Sequence, residues 1–274
     1  MRPSSVIAVR SGIPQRSAKR RRTSRSNAYW PSKCAPLGRR PKSLFLLLLL
    51  PCAAAQAADV CVPTKLAGPY AFQLSGSTTI SGTSKATASL GRITFDGSGN
   101  LSGTASATFG GLLLGNPVTG TYEAKADCSI NWKLQDDSGA LQHFSGTLSP
   151  DATRVQFRQT DPGGVQNGIM QKTSDACSPA DLQKKYKFTL SGSTTPMQPG
   201  ETPHTVSAEG RLDVVENGTF QVDSDCSVHF LLTLPPGSSP MTMRGFLVNG
   251  GKEILAFQTD PGAMVAARFR PDSI

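Results

Sequence analysis

One ten-residue segment of the chain occurs twice in nearly the same form. YAFQLSGSTT begins at Tyr70, and YKFTLSGSTT begins at Tyr186. Aligning the two also superposes Cys61 on Cys177 without a gap, and three further pairs of blocks follow downstream in the same order: GRITF and GRLDV, GTYEAKADCS and GTFQVDSDCS, RQTDPG and FQTDPG. A repeat of about one hundred residues indicates two tandem domains, because solenoid repeats are ~20–50 residues long. The sequence therefore predicts two copies, over about 61–173 and 177–270.

The first 58 residues differ in composition from the rest of the chain. They hold 12 of the 28 Lys and Arg residues and no acid, since the first Asp is Asp59. The remainder keeps 16 basic residues against 19 acidic ones, a net charge near −3. The basic balance thus belongs to the leader, and the folded part lacks the excess of positive charge that nucleic-acid binding requires. We expect no nucleic-acid partner.

This leader has the features of a secretory signal. Arg39 and Arg40 precede the short apolar run LFLLLLL (44–50), and small residues follow up to Ala58. Such a run is too short to span ~30 Å of hydrocarbon as a helix, so we expect no membrane span in the mature chain. The sequence predicts a secreted or periplasmic protein that begins near Ala58 or Asp59. A transit peptide, a twin-arginine signal, a basic nucleic-acid tail and a lipoprotein anchored at Cys52 are the alternatives.

Four cysteines lie in the mature chain, and they allow three pairings. Each copy has one cysteine at its start and one after an aspartate, so the pairing that serves an isolated copy is Cys61–Cys128 and Cys177–Cys226. Export to an oxidising compartment favours disulfides over free thiols. The domain prediction is a leader over 1–58, a first β-domain over 59–173 and a second over 174–274.

Alternation of apolar and polar residues with period two runs through both copies. Tyr70, Phe72 and Leu74 share one face of a strand, as do Ile130, Trp132 and Leu134. Turn sequences such as DGSGN and NGG separate the runs. The first copy contains about eight runs, near 70–77, 85–95, 100–109, 118–125, 129–135, 141–148, 153–159 and 168–173. The fold prediction is all-β: two tandem homologous antiparallel domains that form small up-and-down, calycin-like barrels, with a sandwich as the alternative.

The second copy lacks most of what lies between Gly91 and Gly120 in the first. It retains about seven shorter runs, and an odd number of strands cannot close with antiparallel neighbours all round. We therefore expect the second copy to be reduced or partly open. The segment TPMQPGETPH (195–204) is typical of a Pro-rich loop.

Five blocks of the chain form a set: Y-x-F-x-L-x-G, G-R-I-T-F-D-G-S-G-N, G-T-Y, D-C-S and Q-T-D-P-G. This set resembles a group of uncharacterised secreted bacterial β-domains. The resemblance covers nearly all of the mature chain and is stronger in the first copy, because the second has lost the F-D-G-x-G turn. It implies a calycin-like or allene-oxide-cyclase-like barrel. It implies no activity, and no functional residue is carried over from it.

Motifs of catalysis and metal binding are scarce. The sequence has no G-x-S-x-G, H-E-x-x-H or C-x-x-C motif and no phosphate-binding glycine loop. The three histidines are His143, His204 and His229, and the last two have no counterpart in the first copy. DGSGN (96–100) resembles the start of a calcium loop, but Leu101 stands where a glycine is required, so a hairpin turn is the better interpretation. We predict no catalytic residue, no metal site and no cofactor.

The remaining chemistry points to a non-enzymatic barrel. Its interior can hold a small apolar ligand, or its outer face can bind a surface partner. We expect the first copy to hold any such ligand, with Tyr70, Phe95 and Trp132 lining the site, and the second copy to be filled by Phe188, Phe230 and Leu232. A barrel enzyme of isomerase or cyclase type and an envelope structural protein without a ligand are the alternatives. Carboxylates buried in a cavity would favour the enzyme.

Overall fold

The structure is a computed structural model that describes residues 61–80, 82–109, 112–195, 203–234 and 239–272. The predicted leader, its cleavage site and most of the Pro-rich loop lie outside these residues. Within them the chain is almost entirely β-strand, and no helix is long and apolar enough to span a bilayer.

The first eight strands close into an antiparallel barrel in which each strand pairs with its neighbours in sequence and β1 also pairs with β8. The strands are β1 (Gly68–Ile80), β2 (Thr83–Phe95), β3 (Asn100–Phe109), β4 (Leu112–Ala124), β5 (Ser129–Asp136), β6 (Leu141–Leu148), β7 (Arg154–Gln159) and β8 (Val165–Lys172). The predicted eight-stranded barrel is thus present. The predicted start of β4 near 118 is too late, because β3 and β4 pair in register from Phe109 and Leu112 onward, through Pro117.

The next seven strands form a second sheet that does not close. They are β9 (Lys185–Thr194), β10 (His204–Asp213), β11 (Gly218–Val222), β12 (Ser227–Leu232), β13 (Met241–Val248), β14 (Glu253–Gln258) and β15 (Ala263–Pro271). Their order is β10-β9-β15-β14-β13-β12-β11, which is the order of the barrel strands β2-β1-β8-β7-β6-β5-β4 without an equivalent of β3. The expected open second sheet is confirmed. Its cause is the four-residue link from Asp213 to Gly218, which stands where the barrel has β3 and most of β4.

Short 3-10 turns precede each sheet, at Pro63–Lys65 and Pro179–Asp181. The second lies in the segment SPADLQKK, where Pro179 suits the first turn of a helix. The carboxylate of Asp181 accepts a hydrogen bond from the Ser178 backbone N–H at 2.7 Å, which caps the turn. Both turns begin two residues after a disulfide cysteine, Cys61 or Cys177, and the structure pairs these cysteines with Cys128 and Cys226 as predicted.

The two sheets also pack against each other. An apolar cluster joins the outer face of β1 and β2 to that of β13 and β14; its buried members are Ala71, Leu90, Phe246, Val248, Leu255 and Phe257. The Gln73 side chain donates hydrogen bonds to the carbonyls of Ala256 and Ala267 across this contact. The described residues accordingly belong to one compact unit.

Candidate functional site

The two ends of the barrel differ. The β2–β3, β4–β5 and β6–β7 turns lie at one end, which the Cys61–Cys128 disulfide and the first 3-10 turn cover. Leu66, directly after that turn, is fully buried. The β1–β2, β3–β4, β5–β6 and β7–β8 hairpins lie at the opposite end, which we call the mouth. An opening into the barrel interior can therefore exist only at the mouth.

Aromatic side chains fill the closed end. The rings of Tyr70 and Phe95 meet edge to face at 5.2 Å, and Phe95 meets Tyr122 in the same way at 4.8 Å. The Tyr70 hydroxyl donates a 2.5 Å hydrogen bond to the carbonyl of Ala152. Burial, followed by the nearby Asp151 and Tyr122, raises the pKa of Tyr70 to about 12. This end of the barrel is packed and its tyrosine stays neutral.

A second aromatic group fills the middle of the barrel. Trp132 stacks on Phe144 with ring centroids 5.3 Å apart, and Phe157 meets both rings edge-on. All three side chains are buried. These three side chains form the floor of the barrel interior, so any cavity must lie between them and the mouth.

A cavity of about 260 Å³ lies between this floor and the mouth. Its apolar lining consists of Phe72, Leu74, Ala105, Ala107, Leu114, Val118, Leu134, Ala140 and Phe144. The cavity exists because inward positions on β2 and β3 carry small side chains, Ser89, Ala105 and Ala107, opposite the larger residues of β1 and β5. Small eight-stranded barrels have an interior that side chains can fill or that can hold one small ligand. This barrel does both, at different depths.

Polar groups line the cavity only in part, and Asn116, Asp136 and Gln142 form one side of it. The Asp136 Oδ1 atom accepts hydrogen bonds from the Ser138 hydroxyl at 2.6 Å and from the Ser138 and Ala140 backbone N–H groups at 3.0 and 2.9 Å. The Ser138 hydroxyl contributes most to holding the pKa of Asp136 below its usual value. Among the described residues, Oδ2 accepts only a long hydrogen bond of 3.5 Å, from Asn116 Nδ2. The cavity therefore has an ionised carboxylate with one oxygen available to a hydrogen-bond donor.

The three predicted ligand-binding residues lie in the barrel interior but do not line this cavity. Tyr70 and Phe95 pack at the closed end, and Trp132 lies one layer below the cavity, behind Phe144. A ligand-binding role for them stays a prediction. Sequence reasoning assigned none of the lining residues, Asp136 included, to a ligand site. Ala105 and Ala107 stand in the alternating small residues of SGTASATF, and that pattern could have indicated missing volume inside the barrel.

The second sheet buries Phe188, Phe230 and Leu232 in its apolar cluster, as expected. An open groove of about 570 Å³ runs over its outer strands and is bordered by Phe220, His229 and Leu113 of the barrel. His229 Nε2 lies 3.7 Å from Asp223 Oδ2 there, and both side chains are about half exposed.

The repeated motifs have structural roles in both sheets. Asp161 Oδ2 accepts hydrogen bonds from the His143 backbone N–H and from Gln159 Nε2 at 2.8 and 3.0 Å. Asp260 accepts the equivalent pair, from Thr242 and Gln258, at 3.0 and 2.8 Å. The aspartate of QTDPG thus fixes the start of the neighbouring strand. His143 Nδ1, at 2.7 Å from Asp161 Oδ1, belongs to the same contact.

The calcium-like loop is a hairpin turn. Both carboxylate oxygens of Asp96 accept hydrogen bonds from Ser98 and Asn100. These bonds, led by the Ser98 hydroxyl, hold the pKa of Asp96 far below its usual range. In the part of the chain that the structure describes, no group of three or more His, Cys, Asp or Glu side chains is arranged to hold a metal ion.

No protein-family model matches the chain, and no curated protein matches it. Its resemblance to the secreted bacterial β-domains stays a prediction, and the function has to be argued from the barrel itself.

Proposed function

We propose that the protein binds a small, largely apolar ligand with a hydrogen-bond-donating head group in the mouth of its barrel. The observation that carries this proposal is the cavity of about 260 Å³, which has an aromatic and aliphatic floor and one ionised carboxylate. Ligand pockets generally combine apolar walls with a few placed polar groups, and this volume lies just below their usual range of roughly 300–1,000 Å³. A small ligand is therefore expected.

Asp136 sets the preferred head group. An ammonium gains an ion pair as well as a hydrogen bond from the carboxylate, whereas a hydroxyl gains the hydrogen bond alone. A carboxylate head group would be repelled. We expect the apolar part of the ligand to lie on Phe72 and Phe144, and its amine or hydroxyl to face Asp136.

The enzyme alternative receives less support from this geometry. A general acid or base works best with a pKa near the working pH, whereas the hydrogen bonds from Ser138 and Ala140 lower the pKa of Asp136. A carboxylate held ionised in this way is a poor proton donor and a weak base. It suits recognition of a cation better than proton transfer.

Titration with a matched pair of probes tests the proposal. An alkylamine and the alkanol of equal chain length are added to the protein, and Trp132 fluorescence reports occupancy through its stacking on Phe144. Asp136→Asn keeps an oxygen that can accept the Ser138 and Ala140 N–H groups but removes the charge. It should weaken binding of the amine about tenfold and leave the alkanol within about threefold.

The matched control is Asp137→Asn, which changes the exposed neighbouring aspartate of the same hairpin. It should leave both affinities unchanged. If neither probe binds the wild-type protein, the ligand proposal fails and the structural alternative is favoured. If both aspartate variants weaken the amine equally, binding is a general charge effect outside the cavity.

We further propose that the two sheets are tandem homologous copies, over 59–173 and 174–274. Their common strand order supports this, as do contacts that recur at aligned positions. Cys128 and Cys226 both have a φ of 68°, and the Tyr186 hydroxyl donates to the Gly251 carbonyl at 3.2 Å as Tyr70 does to Ala152. On this proposal the first copy keeps the binding cavity and the second has lost the β3 strand that would enclose one.

Export to the periplasm or the cell exterior is the proposed localisation. Two disulfides fit an oxidising compartment, and the leader sequence has the features of a signal peptide. N-terminal sequencing of the exported protein should begin near Ala58 or Asp59. Recovery of Met1 on exported protein would contradict the proposal.

A further inference from the structure

Exposed apolar side chains are concentrated at the barrel mouth. Of the eight large apolar residues that are exposed in the described part of the chain, five lie on mouth hairpins: Leu112, Leu113, Leu114, Leu141 and Val165. Leu112 is 71% exposed. Exposed apolar residues scattered singly need no explanation, but a cluster around one opening indicates an interaction surface. We call these five residues the mouth rim.

Three of the rim residues are consecutive at the start of β4. Because successive residues of a strand point to opposite faces, the hairpin of β3 and β4 presents leucine on both sides. Leu114 lines the barrel cavity, whereas Leu113 borders the groove over the second sheet. A rigid flat partner could cover only one of these faces at a time. A fluid apolar medium can surround both.

The same hairpin carries no charge. No Asp, Glu, Lys, Arg or His occurs between Asp96 and Glu123, so the whole of β3 and the start of β4 are free of ionised side chains. Moving this hairpin out of water therefore does not require the desolvation of an ion, which would be costly. The other mouth hairpins differ, because two of them carry Asp136, Asp137 and Asp161, whereas the β1–β2 hairpin carries one base, Lys85.

These acids determine the kind of surface that fits. Anionic lipids give a membrane a negative surface potential, which attracts basic segments and repels acidic ones. The acids beside the rim thus disfavour an anionic membrane. A zwitterionic surface accepts the uncharged hairpin without this repulsion.

We propose that the mouth rim docks on a zwitterionic lipid bilayer, with the start of β4 (112–114) inserted to the boundary between the headgroups and the acyl chains. This interaction does not require an occupied cavity and so goes beyond the ligand proposal. It places the opening of the cavity against the apolar phase. An apolar molecule could then pass between bilayer and barrel past Leu114 without crossing water.

A local probe on the full chain tests the docking. In Leu112→Trp the new indole lies at the hairpin tip, and in the matched control Val215→Trp it lies on an 83% exposed turn of the second sheet. Vesicles of phosphatidylcholine with brominated acyl chains quench only tryptophan that enters the bilayer. We expect strong added quenching for Leu112→Trp and none for Val215→Trp, with both variants binding the alkylamine probe as wild type does.

A second pair of variants measures the affinity. Leu112→Asp should weaken binding to phosphatidylcholine vesicles about tenfold or more, because a charge now has to enter the interface, whereas Val215→Asp should have no effect. Equal quenching of the two tryptophan variants would overturn the proposal. The proposal would also be overturned if the wild-type protein formed a dimer and bound no vesicles, and if Leu112→Asp dissociated that dimer. The rim would then be a contact between two copies of the chain. Either result leaves the amine titration unaffected and so is distinguishable from failure of the ligand proposal.

Discussion

Residues that recur in the sequence make recurring contacts. Asp127 Oδ1 accepts a hydrogen bond from the Ser129 backbone N–H at 2.9 Å, and Asp225 Oδ1 accepts the equivalent bond from Ser227 at 2.9 Å. Each bond closes a tight turn around a cysteine with positive φ. A non-glycine residue rarely adopts this conformation, and here the turn and the disulfide hold it in place. The D-C-S motif is therefore explained by backbone geometry.

Tyr70→Phe tests the hydroxyl contact at the closed end. The free energy of unfolding should fall by about 1–2 kcal/mol, because the buried carbonyl of Ala152 loses its hydrogen bond. The control Tyr122→Phe changes a partly buried tyrosine with a longer bond of 3.3 Å to Leu66, and its effect should be smaller. Urea titration measures both.

The raised pKa of Tyr70 gives the same variant a signature at high pH. An unfolded tyrosine ionises near pH 10, whereas burial raises the pKa of folded Tyr70 to about 12. The stabilising contribution is complete below pH 10 and is lost as the pH rises from about 10 to about 12. Tyr70→Phe should be less sensitive over that window. An identical pH dependence of the two proteins would contradict the assigned burial.

At the scale of single elements, the positions of the strands follow from period-two alternation, because one face of each strand is buried and the other is not. All eight runs predicted for the first copy correspond to strands. The start of β4 escaped prediction because LLLGNP does not alternate: its leucines are exposed on both faces, and the pairing with β3 creates the strand. The cavity could not be predicted from the sequence for a related reason. Periodicity tells which side chains point inward, but the space they leave depends on which residues meet across the barrel.

The glycines of the G-T-Y and G-T-F blocks test whether close backbone approach explains a repeated residue. A Cβ atom on Gly120 would collide with the carbonyl oxygen of Lys133, and one on Gly218 with that of Leu231. Either Gly→Ala substitution should lower the free energy of unfolding by about 2 kcal/mol, since overpacking of a fixed backbone typically costs 1–3 kcal/mol.

Gly115→Ala is the control for these variants. An added Cβ there would lie 3.3 Å from the Ser106 hydroxyl oxygen, which can move aside. Chemical denaturation should show that its free energy of unfolding differs little from that of the wild-type protein. A large loss of unfolding free energy in Gly115→Ala, together with a small loss in Gly120→Ala, would contradict the explanation by close backbone approach.

At the scale of the whole molecule, a partly buried ion pair lies beside the contact between barrel and sheet. Arg268 donates to Glu253 Oε2 through Nε at 3.1 Å and Nη2 at 2.6 Å, and Gln171 of β8 donates to Oε1 at 3.3 Å. Burial alone would raise the pKa of Glu253, but the bonds from Arg268 and Gln171 hold it below its usual value. Sequence could not predict this group, because its members come from both halves of the chain.

Glu253→Gln should lower the free energy of unfolding at pH 7 by about 2 kcal/mol, because the partly buried Arg268 guanidinium loses its charged hydrogen-bond acceptor. The carboxylate contributes its stabilisation at pH values above its unfolded pKa and loses it as the pH falls through the lower folded value. Wild type and variant should therefore converge in acid. The control is Glu123→Gln, which removes an exposed carboxylate 3.8 Å from Lys125 and should change little.

The central claim, that the barrel cavity holds a small apolar ligand, is tested most directly by native mass spectrometry of the protein purified from its own source. Wild type should carry a bound small molecule. Ala105→Phe, which fills the cavity, should carry none, and Ala208→Phe, at an exposed position of the second sheet, should carry it as wild type does. A bound mass that persists in Ala105→Phe, or wild-type protein that carries no ligand, would contradict the account.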